Sequence, residues 1–238
     1  MENVALITGS GVRIGREIAA HLANKGWNLA LHYCTSSDQV YKLTAELSSS
    51  YPEQHFYPFQ ADFSSADQTQ NLIRLVIERF GKLNLLVNNA SVFEPSSLRS
   101  SSTEILIRHT MINFISPLIL MRDYANFFDN GQIINILDTR ISSNKSDYLA
   151  YTLSKKSAWE STKMAALELA PNFRVNAIAP GAVLPPAGKG EDYLIEVALK
   201  TPMKRPSGMT PILQSIDYII ENQDITGQVL FCNGGSHL

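Results

Sequence analysis

The stretch that decides the fold is Val4-Ala-Leu-Ile-Thr-Gly-Ser-Gly-Val-Arg-Ile-Gly15, near the amino terminus. It opens with the apolar run Val4–Thr8, which predicts a strand, and continues into Ile14, Ile18 and Leu22, which have helical spacing. Between them lie small residues that would let the backbone approach a phosphate at the amino terminus of a helix. Because the spacing differs from the G-x-G-x-x-G fingerprint, a simple glycine turn is the alternative. Its position after the first strand favours nucleotide binding.

Outward from this stretch, short apolar runs alternate with segments of helical periodicity. The runs that predict further strands are residues 27–33, 55–59, 83–87, 133–137, 174–178 and 228–231. One helix should follow an N-cap at Ser36 or Ser37, and another should end near Gly81. The alternation predicts an α/β fold, a Rossmann-like doubly wound parallel sheet flanked by helices, in a single domain over residues 1–238. Prolines and glycines at 184–192 predict a loop, which is either a lid over the ligand crevice of such a sheet, the favoured interpretation, or a surface connection.

Composition excludes several classes of function. The 238 residues carry 20 basic and 22 acidic side chains, so the net charge of −2 argues against a nucleic-acid partner. Cys34 and Cys232 cannot build a disulfide framework, which favours the cytoplasm, and the amino terminus lacks the basic region of a signal peptide. We expect no membrane span, because no apolar run approaches about 20 residues. The five histidines show no metal-ligand spacing, so no metal is expected.

Two further segments carry chemistry. Tyr151 and Lys155 are four residues apart in a helical stretch, so their side chains share one face, and a nearby cation should lower the pKa of the phenol. Such a tyrosine suits proton transfer near neutral pH. The segment Asn88-Asn-Ala-Ser91 follows a buried strand, where a doubly wound sheet places its ligands. Pro117 lacks an N–H group, so the carbonyl of Asn113 is free to hold a water molecule.

In this order, the motifs resemble the short-chain dehydrogenase/reductase family over nearly the whole chain. The resemblance rests on the glycine loop, Asp62, the Asn-Asn-Ala segment, Tyr151 with Lys155, and the glycine motifs at 174–181 and 225–235. It implies NAD(P)-dependent hydride transfer, commonly in a homotetramer. It also places the water on Asn113 in a proton path to Lys155.

Two departures from the family pattern narrow the substrate. Asp138 stands where the family usually has a serine, and Arg13 stands where it usually has a glycine. Both together resemble the pteridine reductases and the bacterial dihydromonapterin reductases. A carboxyl group suits a pterin, because it can accept from the exocyclic amine or relay a proton through the tyrosine. The resemblance makes Phe93 the ring that stacks on the pterin, with a loop anchor as the alternative. Ser91 is either a polar contact to the ligand or a turn residue.

The implied reaction is NADPH-dependent reduction of a 7,8-dihydropterin: dihydromonapterin, dihydrobiopterin or dihydrofolate. The implied catalytic residues are Asp138, Tyr151, Lys155 and Asn113. The implied substrate contacts are Arg13, Ser91, Phe93, Asp138 and Tyr151, with the loop at 184–200 reading the pterin side chain. NADPH is favoured over NADH because no acidic residue occurs at 31–37. The implied cofactor contacts are Gly9, Arg13, Ile14, Gly15, Tyr33, Thr35, Ser36, Asp62, Phe63, Asn89, Ala90, Ser91, Tyr151, Lys155, Pro180 and Gly181.

Two other functions stay open at this point. If the register slips by one residue, Thr139 replaces the family serine, and the protein is a carbonyl or 3-oxoacyl reductase. A catalytically idle, dinucleotide-sensing protein is the third hypothesis, against which the intact set of Asn113, Tyr151 and Lys155 argues.

Overall fold

The sheet has seven parallel strands in the order β3-β2-β1-β4-β5-β6-β7. This computed structural model describes residues 3–185, 190 and 192–238. The strands are β1 (Val4–Ile7), β2 (Asn28–Tyr33), β3 (Phe56–Gln60), β4 (Leu85–Asn88), β5 (Gly131–Ile136), β6 (Phe173–Pro180) and β7 (Val229–Cys232). The predicted doubly wound fold is confirmed, and the predicted strand ends differ from the observed ones by at most two residues.

Helices cover both faces of the sheet. They are α1 (Arg13–Asn24), α2 (Ser37–Ser50), α3 (Ala66–Phe80), α4 (Thr103–Thr110), α5 (Ser116–Phe127), α6 (Leu149–Leu169), α7 (Asp192–Ala198) and α8 (Thr210–Glu221). Apolar side chains of α1, α2 and α8 form one core against the sheet, and those of α3, α5 and α6 form the other. β1 is apolar throughout because both of its faces are buried, and β2 is buried over its whole length as well. Ser36 precedes α2, but its hydroxyl makes no capping hydrogen bond.

The chain reverses its strand order between β1 and β4. β2 and β3 lie on one side of β1, and β4 to β7 lie on the other. The carboxyl ends of β1 and β4 therefore open a crevice, where ligands bind in sheets of this type. The glycine loop and the Asn88–Ser91 segment both lie at this edge.

One helical run meets the length and composition of a membrane span. Within the described residues, Thr103–Phe127 is long and apolar enough, which corrects the expectation that no such run exists. The run comprises α4, a π-helical turn at Met111–Ile115 and α5. The π turn agrees with the proline argument, because Pro117 cannot donate to the carbonyl of Asn113. Leu120 and Tyr124 of α5 are fully buried in the core.

Candidate active site

Close packing shapes the glycine loop between β1 and α1. Gly9 has a φ of +64°, and a Cβ atom on Gly15 would overlap the carbonyl oxygen of Gly9. Arg13 has a φ of +52°, an uncommon conformation for a residue with a side chain. No described side chain caps the first N–H groups of α1, and its first turn holds no acidic residue. These free N–H groups fit the pyrophosphate of a dinucleotide.

Two loops are joined at the carboxyl ends of β1 and β4. The hydroxyl of Thr8 accepts hydrogen bonds from the backbone N–H groups of Asn89 and Ala90, at 2.8 and 2.9 Å. The amide of Asn89 donates to the carbonyls of Thr8 and Gly9, at 2.8 and 3.1 Å. The glycine loop and the Asn-Asn-Ala segment therefore form one wall of the crevice.

A buried histidine supports the glycine loop from below. His32 accepts from the backbone N–H of Gly9 through Nδ1 at 3.1 Å, and its Nε2 lies 3.0 Å from the carbonyl of Ala61. Its ring stacks on Phe63, with the centroids 4.2 Å apart. Burial lowers the pKa of His32 to about 4, so the ring is neutral at pH 7. His32 lies near the end of β2, and these contacts make it a structural residue.

The turn after β2 lies beside the glycine loop. Tyr33 contacts Tyr41 edge to face, with the centroids 6.1 Å apart, and a Cβ atom on Gly11 would lie 2.7 Å from the hydroxyl of Ser36. Asp62 follows β3, where its carboxylate accepts from the backbone N–H of Ser64 at 2.8 Å, which lowers its pKa. Small and polar residues here fit the adenosine end of a dinucleotide.

Asp138 and Tyr151 form a hydrogen-bonded pair at the end of β5. The phenol of Tyr151 donates to Oδ2 of Asp138 at 2.8 Å, and the backbone N–H of Arg140 donates to Oδ1 at 2.7 Å. Both contacts follow from the local fold, because Asp138 caps a 3₁₀ turn at Thr139–Ser142 and Tyr151 lies in the first turns of α6. Burial raises the pKa of Asp138 above its usual range.

The pKa of Tyr151 corrects one expectation. It is raised well above its usual value by burial and by the neighbouring carboxyl of Asp138, not lowered by Lys155. Lys155 instead donates to the carbonyl of Ile136 at 2.8 Å, and its Nζ lies 5.9 Å from the centre of the Tyr151 ring. Burial lowers the pKa of Lys155 to about 8. At neutral pH the phenol of Tyr151 therefore keeps its proton and donates it in a hydrogen bond to the carboxyl of Asp138.

Asn113 lies in the π-helical turn and anchors the Ser91 segment. Its Oδ1 accepts from the backbone N–H of Val92 at 2.8 Å and from the hydroxyl of Ser91 at 3.1 Å. Its Nδ2 donates to the hydroxyl of Ser154 at 3.0 Å. The hydroxyl of Ser91, predicted to contact either a ligand or its own turn, is thus bonded to the side-chain amide of Asn113.

A small polar cavity separates Asn113 from Lys155. It is lined by both residues and by Asn88, and it has room for about one water molecule. The side-chain oxygen of Asn88 is buried there without a hydrogen-bond partner among the described residues. A water molecule in this cavity would satisfy that oxygen.

Phe93 belongs to an aromatic group that sequence reasoning missed. Its ring stacks on Tyr148, with the centroids 4.1 Å apart and the planes 7° apart, and meets Tyr151 edge to face at 4.6 Å. Phe93 remains 46% exposed, so it keeps surface for a ligand. Arg140 lies over Tyr148, 4.6 Å from the ring centre, and pairs with Asp147. Arg140 and Tyr148 lie close to Asp138 and Tyr151 in the sequence, and this closeness was the one sign that they belong to the site.

Thr139, the candidate of the rival register, faces away from Tyr151. Its hydroxyl accepts from the amide of Asn233 at 2.7 Å and lies 3.0 Å from the hydroxyl of Ser236. Its contacts therefore lie with the carboxyl-terminal segment, whereas the carboxyl of Asp138 faces the phenol.

Arg13 and the predicted substrate loop contact each other. The guanidinium of Arg13 donates to the carbonyls of Pro185 and Leu184, at 3.1 and 3.3 Å. Residues 186–189 and 191 of this loop lie outside the described residues, and α7, which was not predicted, occupies 192–198. Pro180 ends β6 and pairs with Cys232, and a Cβ atom on Gly181, the next residue, would lie 3.0 Å from Asn233. No group of residues that could hold a metal ion occurs in the described part of the chain.

A parallel sheet with a glycine loop after its first strand and a buried Tyr–Lys pair at the strand ends defines a short-chain dehydrogenase/reductase, an oxidoreductase. The chain belongs to this family: the family model described as enoyl-(acyl carrier protein) reductase matches residues 11–237.

Relatives with two different activities are similar to the chain. The 3-oxoacyl-[acyl-carrier-protein] reductase FabG of Staphylococcus epidermidis is 27% identical, covering 100% of both chains. The FolM alternative dihydrofolate reductase 1 from Brucella canis, solved in complex with NADP, is 32% identical with a TM-score of 0.91, covering 99% of this chain and 94% of that chain. The corresponding protein from Brucella suis, also in complex with NADP, is 31% identical with a TM-score of 0.93, covering 99% and 95%.

Proposed function

We propose that the protein is an NADPH-dependent reductase of a 7,8-dihydropterin, such as dihydromonapterin, dihydrobiopterin or dihydrofolate. The observation that carries the proposal is the 2.8 Å hydrogen bond between the phenol of Tyr151 and the carboxyl of Asp138. A hydroxyl at this position would suit a ketone, whereas a carboxyl can accept from the amine of a pterin or relay a proton. The similarity to the two FolM proteins supports the same substrate class.

The chain's own residues would bind the cofactor and move the proton. The glycine loop and the first turn of α1 would hold the pyrophosphate, and the turn at Tyr33, Thr35 and Ser36 would accept the adenosine phosphate. NADPH, when bound, supplies the hydride that C6 of the pteridine accepts. Tyr151 would donate the proton that N5 gains, and Asp138 would orient the pterin and return a proton to the phenol.

Other residues would position these groups. Lys155 would bind the nicotinamide ribose, and the cavity beside Asn113 would hold the water of the proton path. Phe93 would stack on the flat face of the pterin. Arg13 and Ser91 would contact the pyrophosphate or the pterin edge, and the loop at 184–200 would read the pterin side chain. For Arg13 and Ser91 this requires exchanging their present partners, the loop carbonyls and Asn113.

The experiment measures NADPH consumption with dihydromonapterin and dihydrofolate. The wild type should consume NADPH, and Asp138→Ser should lose most of this activity. Asp129→Ser, which removes an exposed carboxylate just before β5, at the opposite end of that strand from Asp138, is the matched control and should match the wild type. Retained activity in Asp138→Ser would remove Asp138 from the site.

The similarity to FabG favours a second candidate, a carbonyl or 3-oxoacyl reductase. A 3-oxoacyl thioester, assayed beside the dihydropterins, separates the two. Turnover of the thioester alone would overturn the pterin proposal. NADPH binding without turnover of either substrate would support a dinucleotide-sensing protein instead.

A homotetramer, a cytoplasmic location and a single domain over residues 1–238 stay predictions. The homotetramer is the assembly that the family implies.

A further inference from the structure

Arg140 connects three parts of the candidate active site. Its backbone N–H holds one carboxyl oxygen of Asp138 at 2.7 Å. Its guanidinium donates to both carboxylate oxygens of Asp147, at 2.8 and 3.1 Å. The same guanidinium lies 4.6 Å from the ring centre of Tyr148 and 6.0 Å from that of Phe93.

The guanidinium is held in one orientation. Its side chain is 19% exposed, whereas that of Asp147 is 59% exposed, so the pair lies against the protein rather than in open solvent. A two-pronged pair with a carboxylate fixes the plane of a guanidinium, and a fixed plane packs well on an aromatic ring. Tyr148 in turn packs face to face on Phe93. The 3₁₀ turn and the aromatic wall are therefore tied together.

We propose that Arg140 is a positioning residue, which holds the Tyr148–Phe93 ring pair in place as the wall against which a flat heterocyclic substrate lies. The proposal rests on the proposed function, since Phe93 and Asp138 are taken as substrate contacts. Arg140 itself would not touch the substrate, because its donors face Asp147.

The charge of Arg140 has a second, separable effect. The guanidinium lowers the pKa of Asp138 and of Tyr151, and it therefore opposes the effect of burial on both groups. Lys155 acts in the same direction on Asp138, and the phenol of Tyr151 is the other titratable group that faces this carboxyl. Loss of the guanidinium should therefore raise both pKa values and move the alkaline limb of the kcat/KM profile to higher pH. Lysine keeps the charge but neither the planar fork nor the stacking.

The experiment compares Arg140→Met, Arg140→Lys and Asp147→Asn with the wild type. The control is Lys156→Met, which removes a cation that donates to Asn144 on the neighbouring segment. We measure the Kd values of dihydrofolate, dihydrobiopterin and dihydromonapterin in the presence of NADP⁺, the KM values of substrate and NADPH, and the pH profile of kcat/KM.

Arg140→Met should weaken dihydrofolate binding and raise the substrate KM by about tenfold, with the KM of NADPH unchanged. The alkaline limb of its kcat/KM profile should move to higher pH. Arg140→Lys should return the limb to the wild-type position while the substrate KM stays high, and Asp147→Asn should raise that KM alone. Lys156→Met should change neither.

Three outcomes would overturn the proposal. They are an unchanged Kd in Arg140→Met, an equal loss of NADPH binding, which indicates general unfolding, and failure of the wild type to bind any of the three dihydropterins. The last would also overturn the proposed function. If the wild type binds a dihydropterin but reduces none of the three, only the proposed function fails, because the Kd series still tests Arg140.

Discussion

The phenol of Tyr151 donates its hydrogen bond to the carboxyl of Asp138 and makes none to Lys155. In the described structure the phenol lies 2.8 Å from Asp138, and both groups have raised pKa values. A phenol in such a pair keeps its proton at neutral pH and can give it to a ring nitrogen. Lys155 donates to the carbonyl of Ile136 and makes no hydrogen bond to the phenol.

Replacing Tyr151 by phenylalanine should abolish most of the turnover. The change removes the proton donor but keeps the ring that meets Phe93 edge to face. General acid catalysis contributes about 10²–10⁴-fold, so kcat should fall by at least about a hundredfold. NADPH binding, measured by fluorescence titration, should stay within about threefold of the wild type. Unchanged turnover would remove Tyr151 from the mechanism.

Thr139→Val separates the two substrate hypotheses at one residue. The hydroxyl contacts Asn233 and Ser236, so its loss should lower the free energy of unfolding by about 1 kcal/mol. Dihydropterin turnover should stay within about twofold of the wild type, because Asp138 and Tyr151 keep their contact. A drop in kcat comparable to that of Asp138→Ser would instead make Thr139 the catalytic hydroxyl.

At the scale of elements, His32 at the end of β2 supports the glycine loop only while it is neutral. Its pKa is about 4 in the folded protein and about 6.5 in the unfolded chain, so the unfolded chain binds more protons between these values. Its contribution to stability is therefore complete above pH 6.5 and is lost as the pH falls towards 4. The loss amounts to about 3 kcal/mol.

Urea unfolding of the wild type and His32→Phe at pH 7 and pH 4 tests this. The phenylalanine keeps a ring on Phe63 but loses the titration and the contact with Gly9. The variant should be less stable at pH 7, and the difference should shrink by about 3 kcal/mol at pH 4. An equal pH dependence of the two proteins would show that His32 does not titrate in this range.

The sequence predicts features that depend on neighbouring residues better than contacts between residues far apart in the chain. The strands, the glycine loop and the pair of Tyr151 and Lys155 depend on local periodicity and spacing, and sequence reasoning found them. The stacking of Phe93 on Tyr148 and the contact of Thr139 with Asn233 join distant segments, and no local pattern marks them. The pKa of Tyr151 was predicted in the wrong direction, because burial and the hydrogen bond to Asp138 depend on packing.

At the scale of the whole molecule, three exposed apolar side chains lie along one side of α6, with the charged Glu160 among them. Leu153, Met164 and Leu167 are 54%, 69% and 84% exposed, and their spacing places them on one side of the helix. Helices α4 and α5 of the run Thr103–Phe127 both pack beside α6. Only 28% of the most apolar 18-residue stretch of this run is buried. Exposed apolar surface of this kind commonly marks an interface between proteins. A second copy of the chain would cover it, in line with the homotetramer that the family implies.

Leu167→Glu should therefore disrupt self-association. Burial of a leucine contributes about 1.5–3 kcal/mol, and a buried, unpaired carboxylate costs more. The change therefore weakens association both by removing apolar burial and by adding a buried charge. Light scattering coupled to size exclusion should give a mass near four copies of the 26.4 kDa chain for the wild type and a smaller mass for the variant. Leu75→Glu, on the exposed side of α3, is the matched control and should keep the wild-type mass. A monomeric wild type would refute the tetramer, whereas a full-sized Leu167→Glu assembly would place the interface on another face.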